Sequence, residues 1–204
     1  MSKQADYYSL SKARETFCRL FVIGVLNKIN PNSLTTLLEK SEYINEIENK
    51  HYDKADSTSL EELFLSVTKT ELHEDNSFGV FNDAYWCGYT YFELHLKTKK
   101  PFSYLFLKLP LSRLLDMYPL YHEMDITQVE NYIANREDEN TIIKLLCKKK
   151  LVSMTKLSSE TGISINTIKK YAASDTNLYA ASFQNIVKIA RFFDVPLSLF
   201  VEEL

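Results

Sequence analysis

Residues 153–174, SMTKLSSETGISINTIKKYAAS, carry two short helix signals separated by one glycine, a spacing that leaves the chain few ways to fold locally. Ser153 suits the N-cap of a first helix that turns Leu157 inward. Gly162 supplies the backbone freedom to leave that helix, because a residue without Cβ enters the left-handed region at no steric cost. Ile163 is placed to plug the angle between the helices. Ser164 then caps a second helix through Ile165, Asn166, Thr167, Ile168, Lys169, Lys170 and Tyr171. No one residue carries this reading. Leu157, Gly162, Ile163 and Ile168 together stand where a tight helix-turn-helix needs them.

A two-helix unit needs a core on its other side, and the flanking sequence offers one. Upstream, TIIKLLCKKK presents Ile143, Leu146 and Cys147 at helical spacing. Downstream, SFQNIVKIARFFDVPLSLF has Ser182 as a cap, then Phe183, Ile186, Ile189, Ala190 and Phe193 on one face. Pro196 suits the first turn of a last helix holding Leu197 and Phe200. Five helices are expected. Their order, with KLSSETGISINTI in the middle and NIVKIARFFDVPLSLF at the end, resembles the bacterial and phage repressor family typified by Cro, over roughly the last third of the chain. The resemblance implies a DNA-binding domain that works as a dimer on a palindromic operator and regulates transcription. Two positions depart from the family's pattern: Met154 stands where many members carry glutamine, and Ala172 where many carry an acidic residue.

In such a unit the second helix enters the major groove. Carried over by position, the residues facing DNA are Ile165, Asn166, Thr167, Lys169 and Lys170. Asn166 suits a bidentate contact to adenine, Lys170 a donor contact to guanine, and Thr167 or Ile165 a thymine methyl. Lys169, Lys156 and the Ser158 hydroxyl suit phosphates. The competing reading makes them solvated positions on a domain turned to protein binding.

The 204 residues allow two modest cores, so we expect a helical N-terminal domain over 1–136 and the helix-turn-helix domain over 137–204. With only 4 Gly and 5 Pro to punctuate it, an all-α chain is the expected class. The net charge of −3 hides an asymmetry: residues 141–204 carry 9 Lys plus Arg against 5 Asp plus Glu, a net of +4, and the remainder a net of −7. A basic module binds phosphate while an acidic partner domain limits non-specific adhesion. Cys18, Cys87 and Cys147 lie far apart with no CxxC pair, which fits a reduced cytoplasm and indicates no zinc site. The first residues lack an apolar core of signal-peptide length, and the run FCRLFVIGVL is too short to span a bilayer.

Towards the N-terminus, an amphipathic helix is expected from about Leu10 to Asn27, capped by Ser9 or Ser11, with Phe17, Leu20, Phe21, Gly24 and Val25 inward. Pro31 stops it, and Ser33 starts the next helix. Residues 41–76 hold 10 acidic side chains against 3 lysines, read as solvated helix faces with a loop near HYDKADSTS, or as an acidic surface able to imitate a phosphate backbone. A break at 76–79 precedes NDAYWCGYTYFELHLKTKK. There Tyr85, Gly88, Tyr89, Phe92 and Leu96 share one face, read as a helix core with tyrosine hydroxyls at the rim or as aromatics that stack bases or a small ligand, with Gly88 marking a close helix crossing and His95 at the core edge. Pro101, Pro110 and Pro119 punctuate compact helices, and Pro119 is expected to interrupt the last of them. His122, Glu123 and Asp125 lack the second histidine of a zinc-protease motif. ITQVENYIANREDEN then forms a connector helix with Val129, Tyr132 and Ile133 on one face.

The function expected is therefore that of a sequence-specific, repressor-like DNA-binding regulator of a bacterium, phage or mobile element. It is expected to bind double-stranded DNA as a homodimer, with no cofactor, metal or membrane association and no enzymatic activity. Two alternatives stay open. One is a protein inhibitor such as an anti-CRISPR, since small phage inhibitors of CRISPR nucleases are sometimes joined to a domain that looks like this one. The other is an antitoxin whose acidic N-terminal domain binds the toxin.

Overall fold

A computed structural model describes residues 3–55, 59–69, 82–136 and 141–200, and every regular element in them is helical. The elements are α1 (Lys3–Leu26), α2 (Pro31–Glu39), α3 (Glu42–Glu48), α4 (Tyr52–Ala55), α5 (Leu60–Thr68), α6 (Asn82–Thr98) and α7 (Phe102–Lys108). They continue with α8 (Leu111–Tyr121), α9 (Ile126–Ala134), α10 (Ile142–Lys149), α11 (Met154–Thr161), α12 (Ile165–Ala173), α13 (Asp175–Tyr179) and α14 (Phe183–Phe193). A 3-10 turn, Leu197–Phe200, follows. None of these helices is long and apolar enough to cross a membrane.

The chain forms two compact units, Met1–Phe102 with Leu109–Ile126, and Ser103–Lys108 with Thr127–Leu204. The boundary expected after residue 136 thus falls ten residues earlier, and nearly all of α7 joins the second unit. In the connector helix α9 only Val129 of the expected face is fully buried.

In the first unit α1 begins at Lys3, so Ser9 and Ser11, expected as caps, lie inside the helix. Its stripe of Ala13, Phe17, Leu20 and Phe21 is buried. Phe17 meets the rings of Phe21, Phe92 and Phe102 at centroid distances of 5.1, 5.6 and 4.9 Å, building an aromatic core between α1 and α6. The close crossing occurs at Gly88, where an added Cβ would lie 2.7 Å from Cys18 Cα. The face that α6 buries is the expected one only at Gly88 and Phe92. Ala84, Cys87, Gly88, Thr90, Tyr91, Phe92 and Leu94 are buried, whereas Tyr85 and Tyr89 remain 38% and 39% exposed. Small side chains at 84, 87 and 88 let α1 approach, and the Tyr91 hydroxyl finds a buried acceptor in Leu109 O at 2.5 Å. His95, at the core edge, stacks on Phe102 and its Nδ1 lies 2.8 Å from Lys100 O.

The turn at 30–33 is a helix cap. Asn30 Oδ1 accepts the amides of Asn32 and Ser33 at 3.0 and 3.3 Å, and Pro31 opens α2, so Ser33 lies in its first turn instead of starting it. The acidic window folds into α3, α4 and α5, which bury Tyr43, Ile44, Ile47, Leu63, Phe64 and Val67 and leave Glu42, Glu61 and Glu62 exposed. Asp56, Glu71, Glu74, Asp75 and the break expected at 76–79 lie outside the described residues. Pro119 does not interrupt α8, which runs through it to Tyr121 although proline has no amide to donate to Leu115 O. His122 caps that helix, and the described residues contain no group of three His, Cys, Asp or Glu side chains able to hold a metal.

The second unit packs α10 on α12, α11 on α12 and α14, and α13 on α12. Three details differ from expectation. The one-turn α13 is additional, begun by Ser174, whose Oγ accepts the Thr176 amide at 3.2 Å. The last helix is a single 3-10 turn, which still buries Leu199 and Phe200. On α14 the expected face is buried through Ile186, Ile189, Ala190 and Phe193, but Phe183, in the first turn at the margin of that face, is 73% exposed.

Candidate nucleic-acid interface

Both helices of the motif start on serine caps. Ser153 Oγ accepts the Lys156 amide at 3.1 Å, and Ser164 Oγ accepts the Thr167 amide at 3.2 Å. Between them Gly162 adopts φ +68°, and its amide donates to Ser158 O at 3.0 Å. A Cβ at Gly162 would meet nothing within 4 Å, so glycine is required here by backbone conformation and not by space. Side chains then tie the turn together. Ser158 Oγ donates to Ile163 O at 2.6 Å, Thr161 Oγ1 donates to Leu157 O at 2.6 Å, and the Ile163 amide donates to Thr161 Oγ1 at 3.3 Å. Leu157, Ile163 and Ile168 are buried beneath it.

Along α12 the burial pattern separates the candidate residues. Ile168, Tyr171 and Ala172 form the inward side, while Asn166, Lys169, Lys170 and Ala173 are exposed. At 100° per residue the exposed four occupy one arc of about 100°, opposite the core. Ile165 and Thr167 flank that arc on its two sides and are half-buried. The Thr167 hydroxyl lies 2.8 Å from Ser164 Oγ, so its polar atom belongs to the cap and its methyl is the part left for an apolar contact. Ala172, where the resemblance leads one to look for an acidic residue, is buried, which an apolar side chain satisfies and a carboxylate would not.

Lys156 is exposed on α11. Ser158 is placed differently from expectation: half-buried, it spends its only hydroxyl proton on Ile163 O, so it braces the turn and has no donor for a phosphate. The sequence also left unremarked what holds α12 from behind. Asn185 Nδ2 donates to Tyr171 Oη at 3.0 Å, fastening α14 to α12, and Asn177 Nδ2 donates to Lys170 O at 3.2 Å near the α12 C-terminus. Thr141 Oγ1 donates to Ala172 O at 2.9 Å. Lys148, Lys149 and Lys150 are exposed where α10 ends.

On α12 the arrangement presents one amide and two ammonium groups on a helix face held by capped, hydrogen-bonded supports. No protein-family model, curated protein or solved structure matches the chain.

Proposed function

We propose that the chain is a sequence-specific DNA-binding regulator in which α12 reads the major groove and the first unit serves dimerisation or partner binding. The observation that supports this most directly is the exposed arc of Asn166, Lys169 and Lys170 on a helix whose other side is locked into a core. An amide matches the donor and acceptor pair on an adenine edge, and ammonium groups match guanine and phosphate oxygens. The net charge of +4 over residues 141–204 favours approach to a polyanion. A single helix covers too few base pairs for a usable specificity ratio, so the reading calls for two copies on half-sites about 34 Å apart. The chain then acts by binding, as a repressor, and not as an enzyme.

The test is selection of bound sites from a random duplex library by the full chain, followed by titration at several salt concentrations. Enrichment of a palindromic motif supports the proposal. Equal affinity for every duplex, or no binding, overturns it, and a nuclease or toxin recovered from host extract would then favour an inhibitor or antitoxin.

A further inference from the structure

Between Tyr8 and Val25 the exposed residues of α1 are Tyr8, Lys12, Glu15 and Arg19. Steps of four, three and four keep them in one line along a helix of 3.6 residues per turn, on the side opposite the buried Phe17, Leu20 and Phe21. They form the outermost ridge of the helix. Beside it runs a groove of about 370 Å³, walled by Tyr85 and Tyr89 of α6. Both rings are held in place: the Tyr85 hydroxyl donates to Glu15 Oε2 at 2.5 Å, and Arg14, paired with Glu93 at 2.8 Å, lies over the Tyr89 ring. Fixed, half-exposed tyrosines beside arginine are the composition that protein interfaces enrich, and rings already ordered lose little entropy on contact.

The order of groups along the ridge is aromatic, cation, anion, cation. Place a second copy of α1 antiparallel to the first, with the twofold axis passing between residues 13 and 14. Lys12 then faces Glu15 of the second copy and Tyr8 faces its Arg19, and each pair occurs twice. A parallel pairing in register would set Lys12 against Lys12 and Glu15 against Glu15. The ridge is therefore self-complementary in the antiparallel orientation, which is the requirement of an isologous interface.

We propose that the α1 ridge and the tyrosine groove beside it are a homodimer face, occupied by α1 of a second copy running antiparallel, with Lys12 opposite that copy's Glu15. The inference rests on the dimeric-regulator reading and supplies the surface by which the copies meet. Exposed ion pairs contribute little energy, so the charges set orientation and register while the tyrosines supply the buried area. Within one copy Arg19 Nε lies 3.6 Å from Glu15 and Lys12 Nζ lies 5.8 Å from the Tyr8 ring centroid, so the facing Arg19 would add a second cation beside that ring.

Sedimentation of the full chain over a dilution series tests this, using wild type, Lys12→Glu, Glu15→Lys, the double reversal, and an equimolar mixture of the two single variants. Circular dichroism confirms that each is folded. Each single reversal puts two like-charge pairs on the axis and should weaken self-association by about tenfold or more. The double reversal and the mixture should both recover wild-type association, the mixture as a heterodimer. A wild-type dimer that the single reversals leave unchanged overturns this surface while the regulator reading stands. So does weakening that neither the double variant nor the mixture repairs. A wild type that stays monomeric with and without its selected DNA overturns the dimeric reading as well.

Discussion

Lys108 Nζ lies 2.5 Å from Asp175 Oδ2, with the two side chains 2% and 13% exposed. The other oxygen of the same carboxylate, Asp175 Oδ1, accepts the Ile142 amide at 2.7 Å, and the Lys108 ammonium also faces the Tyr104 ring. One aspartate thus joins α7, α10 and α13, and it makes the short segment 103–108 part of the unit that carries the helix-turn-helix. Asp175→Ala should destabilise that unit by about 3–5 kcal/mol, because it leaves a buried ammonium without its carboxylate and an amide without its acceptor. Lys108→Met should cost less, since Asp175 keeps the Ile142 amide. Chemical unfolding of the full chain measures both, and an Asp175→Ala loss below about 1 kcal/mol would mean that the pair is not holding α7. A fragment of residues 127–204 should unfold more readily than the same unit in the whole chain.

Among the described residues, six helices end on a residue other than glycine in the left-handed region: Lys28, Lys50, Lys69, Lys99, Leu151 and Asp194 have φ between 53° and 62°. At Leu151 the paired bonds of the cap are Leu151 N to Lys148 O at 3.3 Å and Val152 N to Cys147 O at 3.0 Å, and the side chain is 93% exposed. A Cβ in this conformation is strained, so Leu151→Gly should gain about 0.5–1 kcal/mol, with no packing lost. Gly162→Ala is the mirror experiment and should cost about 1 kcal/mol through φ alone. Denaturant midpoints moving in these two directions, at unchanged slope, check the argument.

Gly88 and Gly24 are both tightly contacted, yet they should respond differently to alanine. At Gly88 the new Cβ would meet Cys18 Cα at 2.7 Å, a backbone atom at the crossing of α1 and α6. At Gly24 it would meet the Leu34 methyl groups, the movable end of a side chain. Gly88→Ala should therefore cost about 1–3 kcal/mol by forcing the helices apart, and Gly24→Ala less. Equal losses in thermal unfolding would contradict the distinction.

If α12 reads DNA as proposed, Asn166→Ala and Lys170→Ala should each weaken binding to the selected site by about 1–3 kcal/mol, at unchanged helicity. Lys169→Ala should weaken all duplexes alike and lower the salt slope by about one unit. Ser158→Ala should leave DNA affinity nearly unchanged but lower stability by about 1 kcal/mol, because it removes the Ile163 bond. A selective loss of DNA affinity in Ser158→Ala at full stability would return that hydroxyl to the interface.

The three cysteines are unpaired by disulfides and buried. Burial pushes the Cys18 thiol up to about 12, with nearby Glu15 adding to the shift, and pushes Cys87 higher still. An unfolded thiol loses its proton near 9. The folded state therefore holds protons that the unfolded state releases, so this contribution to stability is complete below about pH 9 and is lost as pH rises towards 12. Unfolding measured from about pH 8 upward should show the decline, and thiol-specific reagents at about pH 8 should react slowly until denaturant is added. Rapid modification of the native chain would mean that these thiols are accessible.

The sequence by itself determined the helical class and the geometry of the motif, because those depend on neighbours in the chain. Ser153, Ser164 and Ser182 cap the helices that follow them, and Gly162 takes the left-handed turn. Leu157, Ile163 and Ile168 point inward at the period of a helix. The exposed arc of Asn166, Lys169 and Lys170 follows from the same periodicity. Helix ends were less legible, since five of the six strained caps carry lysine or leucine, which announce no turn.

Only the tertiary structure decided which of two plausible stripes a helix buries. On α6 the tyrosines at 85 and 89 have helical spacing and look like core, but the small residues at 84, 87 and 88 permit closer approach to α1, and close packing over that area wins. The role of Ser158 was settled by a carbonyl five residues away, and the place of segment 103–108 by an aspartate 67 residues on from Lys108. Long-range partners of this kind leave no periodic trace in a sequence, because nothing local selects them until the chain has folded.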